Sequence, residues 1–202
     1  DYFPSSPYPS SSNKGETGLL VMPNARFMPE GSLRFGISSS YPDEYTFMTA
    51  SPFPWFEASY RYAEVKTVLY SPVAAFSGNQ TLKDKGFDIK IKLFNETFLI
   101  PGFAIGITDI AGTGRFSSEY IVATKLIGNL DVSLGIAFGQ LGTDKNIRNP
   151  LTGIHDSFNT RSVDSSSEGG DIRAKTWFSG REAAVFGGLE YRLNKSGILS
   201  IP

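Results

Sequence analysis

The sequence predicts an all-β protein whose antiparallel strands run up and down in a sheet that curves into a barrel of about 8–10 strands. Alternating strands, loops of two distinct lengths and the lack of amphipathic helical runs predict this fold. The alternation is clearest in residues 85–94, KGFDIKIKLF, because side chains of a strand point to its two faces in turn. One face takes Phe87, Ile89, Ile91 and Leu93, and the other takes Asp88, Lys90 and Lys92.

The composition limits the class of protein. The chain has 202 residues, enough for one domain, and its 19% of charged residues is below the roughly 25% of an average globular domain. A net charge of -1 gives no sign of nucleic-acid binding. The chain has no Cys, which excludes disulfides, thiolate metal sites and a cysteine nucleophile. No apolar run approaches the roughly 20 residues of a transmembrane helix, whereas barrel strands need only about 9–11 residues.

The strand pattern divides the chain into two parts. Residues 1–30 are predicted to be an extended or disordered N-terminal lead-in, with Ser and Pro abundant in 1–15. Within it, the apolar stretch GLLVMPNARFMPEGS, broken by Pro23 and Pro29, is predicted to form a loop or plug-like segment, or one short strand at Leu19 to Met22. Residues 31–202 are predicted to supply the barrel strands. Nine alternating segments are expected at 32–40, 44–50, 55–63, 85–94, 102–110, 118–127, 130–138, 183–193 and 197–201.

The connections between these strands differ in length at the two ends of the predicted sheet. Long connections are expected at 64–84, 111–117 and 140–180, the last being a polar surface loop rich in Gly and Ser. The intervening ones, 51–54, 95–101, 128–129 and 194–197, are short. Such asymmetry is typical of outer-membrane barrels, although the short connection 41–44 falls on the long side. The sequence therefore predicts a long-loop end and a short-turn end.

Alternation alone also fits a soluble β-sandwich or a lipocalin-like barrel. Such a protein would have a thin exterior of Gly102, Ala104, Gly106, Ser133, Gly135 and Ala137. Aromatic residues near the strand ends instead suit the girdle of a transmembrane barrel. This interpretation turns Phe87, Ile89, Ile91 and Leu93 towards lipid, and it predicts that Ile89→Asp is far more damaging than Lys90→Ala.

The other face would line the lumen. Its candidate residues are Arg34, Glu57, Arg61, Asp88, Lys90, Lys92, Asp109, Glu190 and Arg192. One interpretation is an electrostatic plug in which these charges pair across strands and only stabilise the barrel. The other is a polar path or docking groove for an anionic polysaccharide, in which Arg61, Lys90 and Lys92 contact sugar carboxylates.

The sequence offers no catalytic or metal-binding constellation. His155, the sole histidine, stands beside Asp156 in the long loop, where no rigid scaffold would hold a triad. Asp164, Glu168 and Asp171 lack the spacing of an EF-hand. We therefore predict a protein that is not an enzyme, with no catalytic residue, cofactor or metal.

Several long motifs resemble those of a known family. The stretches GLLVMPNARFMPEGSLRFGIS, FPWFEASYRY, KDKGFDIKIKLF, IAGTGRFSSEYIVATK and VFGGLEYR are similar, in this order, to blocks of the YjbH/GfcD family of outer-membrane exopolysaccharide proteins. The resemblance covers most of 16–140 and resumes at 183–193. Members of that family are much longer, and nine is an odd strand count for a bacterial barrel. The chain is therefore expected to be an N-terminal portion, or an incomplete barrel completed by another chain.

The resemblance implies a non-catalytic β-barrel in the outer membrane of a Gram-negative bacterium that serves exopolysaccharide or capsule secretion or assembly. The expected partners are outer-membrane lipid, an anionic polysaccharide and other proteins of an export or envelope complex, with no nucleic acid. Two alternatives stay open: a structural scaffold subunit of a cell-envelope assembly, and a soluble carbohydrate-binding β domain.

Overall fold

The computed structural model describes residues 9–114, 116–161, 172, 174–194 and 197–201. Two short strands, β1 (Gly18–Leu19) and β2 (Met22–Pro23), pair with each other near the start. The strands of the large sheet follow. They are β3 (Ser32–Ser40), β4 (Asp43–Phe53), β5 (Phe56–Leu69), β6 (Thr81–Phe94), β7 (Gly102–Thr108), β8 (Ser118–Ile127), β9 (Leu130–Gly139), the two-residue β10 (Ile147–Arg148), β11 (Glu182–Asn194) and β12 (Gly197–Ile201).

The large sheet is an antiparallel meander. From β3 to β9 each strand pairs with the next, β9 pairs with β11, and β11 pairs with β12 and, at its start, with β10. The nine predicted segments correspond to β3–β9, β11 and β12, so the all-β, up-and-down prediction is confirmed. In the described part of the chain no pairing joins β3 to β12, and the sheet is not closed into a barrel.

The hairpin of β5 and β6 is longer than its sequence pattern predicted. β5 continues to Leu69 and β6 begins at Thr81, so most of the predicted connection 64–84 is strand. The extension pairs Glu64 with Lys83 and Val65 with Leu82. Alternation is weak there because the outward positions are charged and only single apolar side chains point inward. The remaining connection holds one helical turn, α1 (Ala74–Ser77).

The sheet has two faces of opposite character. The inner face, defined here as the face that packs against residues 9–28, carries polar, charged and small residues that are mostly buried. The outer face carries apolar residues that are exposed, among them Leu33, Phe35, Ile37, Phe87 and Leu134. Ile37 is 80% exposed, whereas Lys90 on the inner face is 2% exposed. Charge therefore lies inside this fold and apolar surface outside, the reverse of a soluble sheet.

Small residues of the inner face leave room for large rings. A Cβ atom added at Gly106 would lie 2.2 Å from the ring of Tyr120. The N-terminal segment also packs closely, because a Cβ on Gly15 (φ 101°) would meet the ring of Phe47 at 2.4 Å. The small residues on the second face of the strands are therefore explained by the large rings that pack against that face.

The described residues of the long loop cover part of the outer face near β8 and β9. Three 3₁₀ turns, Pro150–Gly153, Asp156–Asn159 and Ala174–Thr176, shape this loop. The rings of Phe138 and Phe178 meet edge to face at 5.4 Å. Among the described residues no helix is long and apolar enough to cross a membrane.

Candidate functional site

The inner face is filled by residues 9–28, which we name the inner segment. Its backbone pairs with itself, through β1 and β2 and a bridge between Ser11 and Thr17, and in the described residues it forms no ladder with the large sheet. Leu19, Met22 and Met28 anchor it as buried apolar side chains. The described part of the predicted lead-in, 9–30, is folded: the stretch predicted to be a loop or plug-like segment packs on the inner face, and residues 9–15, predicted to be extended or disordered, pack beside it. Pro23 and Pro29 break the strand pattern, so the sequence did not show which residues of the sheet the segment contacts.

Glu57 and Lys90 hold the middle of the inner segment. They face each other across β5 and β6, and Lys90 Nζ lies 3.3 Å from Glu57 Oε1. Glu57 accepts hydrogen bonds from the Thr17 N–H at 2.7 Å and from the Thr17 hydroxyl at 2.6 Å. Lys90 Nζ donates to the carbonyl oxygens of Thr17 and Arg26, both at 2.8 Å. One buried ion pair therefore binds the segment at two places along its length.

Threonine side chains of the inner face bind further backbone groups of the segment. The Thr49 hydroxyl donates to the Gly15 carbonyl oxygen at 2.7 Å. The Thr124 hydroxyl accepts the Ala25 N–H at 2.8 Å. Because Thr49 is on β4 and Thr124 on β8, these bonds tie the segment to both halves of the sheet.

Glu16 is a buried carboxyl of the inner segment, and the Tyr120 hydroxyl donates to its Oε2 at 2.8 Å. Burial raises the pKa of Glu16 from 4.5 to about 7, and the positive charge of Lys90 opposes this rise. Between pH 4.5 and about pH 7, Glu16 keeps its proton in the folded chain and releases it in the unfolded chain. The free energy of unfolding should therefore fall as pH rises from about 4.5 to about 7, by about 3 kcal/mol in all.

Glu16→Gln should remove this part of the pH dependence, because the amide does not titrate and its oxygen still accepts the Tyr120 hydroxyl. We expect the variant to gain stability over the unsubstituted chain as pH rises from 5 to 8. Urea unfolding in detergent at several pH values measures the difference, and Glu30→Gln, at an exposed site, is the control. Parallel pH profiles for Glu16→Gln and the unsubstituted chain would contradict the prediction.

A second charged cluster lies at the short-turn end. Arg26 of the inner segment pairs with Glu96 at 2.6 Å and with Asp131 at 2.5 Å. Arg192 of β11 also pairs with Asp131, at 2.9 Å, and Lys125 pairs with Glu96, at 3.1 Å. The cluster joins the end of the inner segment to β8, β9 and β11.

A third cluster lies towards the long-loop end. Arg61 Nε is 3.4 Å from Asp88, which accepts the backbone N–H of Asp109 at 2.8 Å. Burial and the nearby Asp84 carboxylate raise the pKa of Asp109 to about 6. Asp84 is itself buried, and neither of its carboxylate oxygens has a hydrogen-bond partner among the described residues. Among the described residues, this cluster holds three buried acidic side chains, Asp84, Asp88 and Asp109, and the one arginine Arg61.

A cleft of about 440 Å³ opens at the same end of the sheet. Lys14 of the inner segment, Asp43, Tyr45, Phe116 and Gln140 contribute to its lining. Burial and the nearby positive charge of Arg61 lower the pKa of Lys14. The turn of the inner segment thus reaches the surface at the long-loop end.

The predicted site residues fall into three groups. Of the predicted lumen-lining residues, Glu57, Arg61, Asp88, Lys90, Asp109 and Glu190 are buried, and Arg34, Lys92 and Arg192 are half-buried. Of the predicted lipid-facing residues, Phe87 and Leu93 are exposed, and Ile89 and Ile91 are half-buried. Arg34 donates to the Pro9 carbonyl oxygen at 2.8 Å, and Lys92 lies 4.9 Å from the centre of the Phe27 ring.

The sequence pattern missed several residues of this site. Glu16, Thr17 and Arg26 lie in the segment that shows no alternation, and Asp131 was not singled out although it lies on a strand. Tyr120 was predicted to belong to the aromatic girdle near the strand ends, but it is buried on the inner face against Glu16. The parity of residues 130–138, which sets Asp131 against Leu130 and Val132, was the signal available for Asp131. The buried members of the inner segment gave none.

The two described residues considered for catalysis, His155 and Asp156, bind different partners. His155 is exposed, and its Nδ1 accepts the Ser157 N–H at 3.1 Å, which caps a 3₁₀ turn. Asp156 instead contacts Asn159. Asp164, Glu168 and Asp171 lie outside the described residues. Within the described ranges no group of three or more His, Asp or Glu side chains could hold a metal ion.

Comparison with known proteins gives a family. Residues 10–201 match the YjbH family, described as exopolysaccharide biosynthesis protein YbjH. The chain is 44% identical over 186 residues to a protein of Escherichia coli (strain K12) named uncharacterized lipoprotein YjbH. This similarity covers 91% of the chain and 26% of that protein, so the chain spans about a quarter of its relative's length. No solved structure matches the chain. The family resemblance of the motifs is thereby confirmed, and the chain belongs to the YjbH family of exopolysaccharide biosynthesis proteins.

Proposed function

We propose that this chain is part of an outer-membrane β-barrel that serves exopolysaccharide secretion or assembly, with the inner segment filling its lumen side. The inverted polarity of the sheet is the observation that carries this proposal. Side chains such as Phe35 and Ile37 stand exposed on the outer face, while Glu57 and Lys90 are buried inside. A large exposed apolar surface is unfavourable in water and is satisfied by lipid.

The limits of the apolar surface support the membrane setting. Towards the long-loop end the outer face becomes charged, with Lys83 and Lys85 on β6 and an exposed pair of Glu44 with Lys66 at 2.5 Å. At the short-turn end, Phe53 and Trp55 stack at 5.6 Å between ring centres. An apolar band between a charged rim and an aromatic rim is the pattern of an outer-membrane barrel.

The family and the relative support the biological setting. The family is one of exopolysaccharide biosynthesis proteins, and the relative is named a lipoprotein of a Gram-negative bacterium. Both names favour a location in the cell envelope. We propose outer-membrane lipid, an exopolysaccharide and other envelope proteins as partners. We propose no catalytic role for the chain, and three charged groups of the inner face, Arg34, Glu57 and Lys90, are engaged in holding the inner segment.

A scaffold without a conducting path is the second candidate. It is favoured by the filled inner face, in which Lys90 already contacts Glu57 and two carbonyl oxygens of the segment. A soluble carbohydrate-binding domain is disfavoured by the exposed outer face.

Deletion and complementation test the proposed function. Deleting the gene should abolish secreted exopolysaccharide, and the unsubstituted gene should restore it. Leu134→Asp, on the apolar outer face, should neither accumulate in the outer membrane nor restore secretion, because a carboxylate in lipid costs about 1–3 kcal/mol. Lys85→Asp, with the same carboxylate on the exposed charged rim, is the matched control and should behave like the unsubstituted protein. Unchanged secretion after deletion, or normal membrane assembly of Leu134→Asp, would contradict the proposal.

A further inference from the structure

At its middle the inner segment presents neutral backbone and hydroxyl groups to the inner face. Glu57 takes two hydrogen bonds from Thr17, one from its N–H and one from its hydroxyl. Lys90 donates to two carbonyl oxygens, and Thr49 donates to a third. The surface therefore presents acceptors and donors suited to uncharged hydroxyl and carbonyl groups.

These groups match the hydrogen-bonding chemistry of sugars. Adjacent sugar hydroxyls can donate together to one carboxylate, as the two donors of Thr17 do to Glu57. Each sugar hydroxyl oxygen can also accept from an ammonium or a hydroxyl group, as the carbonyl oxygens do from Lys90 and Thr49. The inner segment thus occupies positions that a hydroxyl-rich strand could take.

The charge of the inner face favours a neutral strand over a polyanion. Lys90 is balanced by Glu57 at 3.3 Å, and Arg61 by Asp88 at 3.4 Å. Asp84 and Asp109 add negative charge towards the long-loop end. A polyanion would meet these carboxylates, with only the half-buried Arg34 and Lys92 among the cations named for this face left to offset them.

The inner segment can leave without breaking the large sheet. Its described backbone pairs with itself, so its departure removes no hydrogen bond between strands of the large sheet. The inner face beneath the segment includes the small residues Ala104, Ser133 and Ala137, whose side chains leave room for a ligand once the segment has moved away. The segment is linked to β3 by the short stretch 29–31, which can act as its tether.

We propose that the inner face is a binding groove for a neutral, hydroxyl-rich polysaccharide strand, and that the inner segment is a displaceable occupant of that groove. This inference rests on the proposed function and names its substrate class. The proposal departs from the predicted anionic polymer bound by Arg61, Lys90 and Lys92, because Asp88 and Glu57 lie against the charges of Arg61 and Lys90.

This chain has no cysteine, so in a full-length protein whose cysteines elsewhere are replaced two introduced cysteines can lock the segment in place. Ala25 of the segment belongs to the same buried cluster as Ala104 of β7, so Ala25→Cys with Ala104→Cys is the pair to join, by a disulfide or by a thiol cross-linker of matching length. In cells producing the full-length protein, the cross-link should reduce secreted polysaccharide at least tenfold. Where the cross-link is a disulfide, a reductant should break it and restore secretion. The control, Ile105→Cys with Ile121→Cys, joins two positions already paired on β7 and β8 and should secrete normally.

The outcomes separate this inference from the proposed function. If deletion of the gene leaves secretion intact, the proposed function is wrong. If deletion abolishes secretion but the locked protein secretes normally, the function stands and the displaceable segment is overturned.

A labelling experiment tests the chemical class. In purified full-length Ala25→Cys protein, the buried thiol should react several-fold faster with a water-soluble maleimide when dextran oligosaccharide is present. Polygalacturonate oligosaccharide of equal length should leave the rate unchanged. Acceleration by polygalacturonate alone would contradict the proposal that the ligand is neutral. If neither oligosaccharide accelerates labelling, the inner face is not a polysaccharide-binding groove. Ser39→Cys, at an exposed site, should label at one rate throughout.

Discussion

Lys90→Met is expected to destabilise the folded chain by about 3–5 kcal/mol, the effect of removing one partner of a buried ion pair. The side chain is 2% exposed, and its ammonium group offsets the charge of Glu57, which is 1% exposed. Methionine fills a similar volume but leaves the carboxylate without its cation and the carbonyl oxygens of Thr17 and Arg26 without their donor. Urea unfolding in detergent measures the loss, and faster proteolysis of the inner segment should accompany it.

Two further variants isolate the charge. Glu57→Gln combined with Lys90→Met should recover part of the lost stability, because neither partner then leaves a buried charge uncompensated. Lys92→Met should lose less than about 1 kcal/mol, because Lys92 is half-buried and its described contact is the ring of Phe27. Equal stability of Lys90→Met and Lys92→Met would show that the ion pair does not hold the segment.

The strands could be predicted because their signals are local. Alternation and turn residues lie within about ten positions of one another, and they located all nine long strands with three of them exact, β3, β8 and β12. The ends of β5 and β6 were missed because register with a partner, and not alternation, extends the ladder past Ala63. Strand pairing of this kind depends on residues distant in sequence.

For the site, the sequence predicted only on which face of the sheet each strand residue lies, and not what that residue contacts. Strand alternation placed Lys90 and Ile89 on opposite faces, but it does not show which residues pack against each face. The charged face was therefore predicted either to line an open lumen or to form a plug of paired charges. The bonds that fill it join distant residues, such as Lys90 with Thr17 and Ala25 with Thr124. The burial of Lys90 also enlarges its expected effect, so the ranking of Ile89→Asp far above Lys90→Ala no longer follows from the pattern.

Glu119 shows how an exception to the alternation carries information. It pairs across the sheet with Ile107 and Phe138, both at outer-face positions, yet it is 0% exposed. A buried carboxylate at an outer position requires a partner from outside the sheet. The long loop supplies it through Arg161, whose guanidinium nitrogens lie 2.7 and 2.9 Å from the two carboxylate oxygens. The Phe178 N–H donates to the same carboxylate at 2.9 Å.

Arg161→Ala is therefore expected to weaken the docking of the long loop by about 3–5 kcal/mol, because the buried Glu119 carboxylate loses a bidentate cation. Proteolysis within the long loop should accelerate strongly, while the rest of the sheet keeps its resistance. Arg148→Ala is the matched control, since Arg148 is an exposed arginine of the same loop. Its effect should stay within about 0.5 kcal/mol.

The paired variant decides between charge and packing as the cause. If the charge of Glu119 is responsible, Glu119→Gln with Arg161→Ala should restore part of the resistance to proteolysis, because a neutral amide needs no counter-ion. If the double variant is as sensitive as Arg161→Ala alone, the arginine acts through its contacts with Ser117 and the Thr176 carbonyl oxygen. Normal resistance in Arg161→Ala would mean that Phe138 and Phe178 hold the loop without the ion pair.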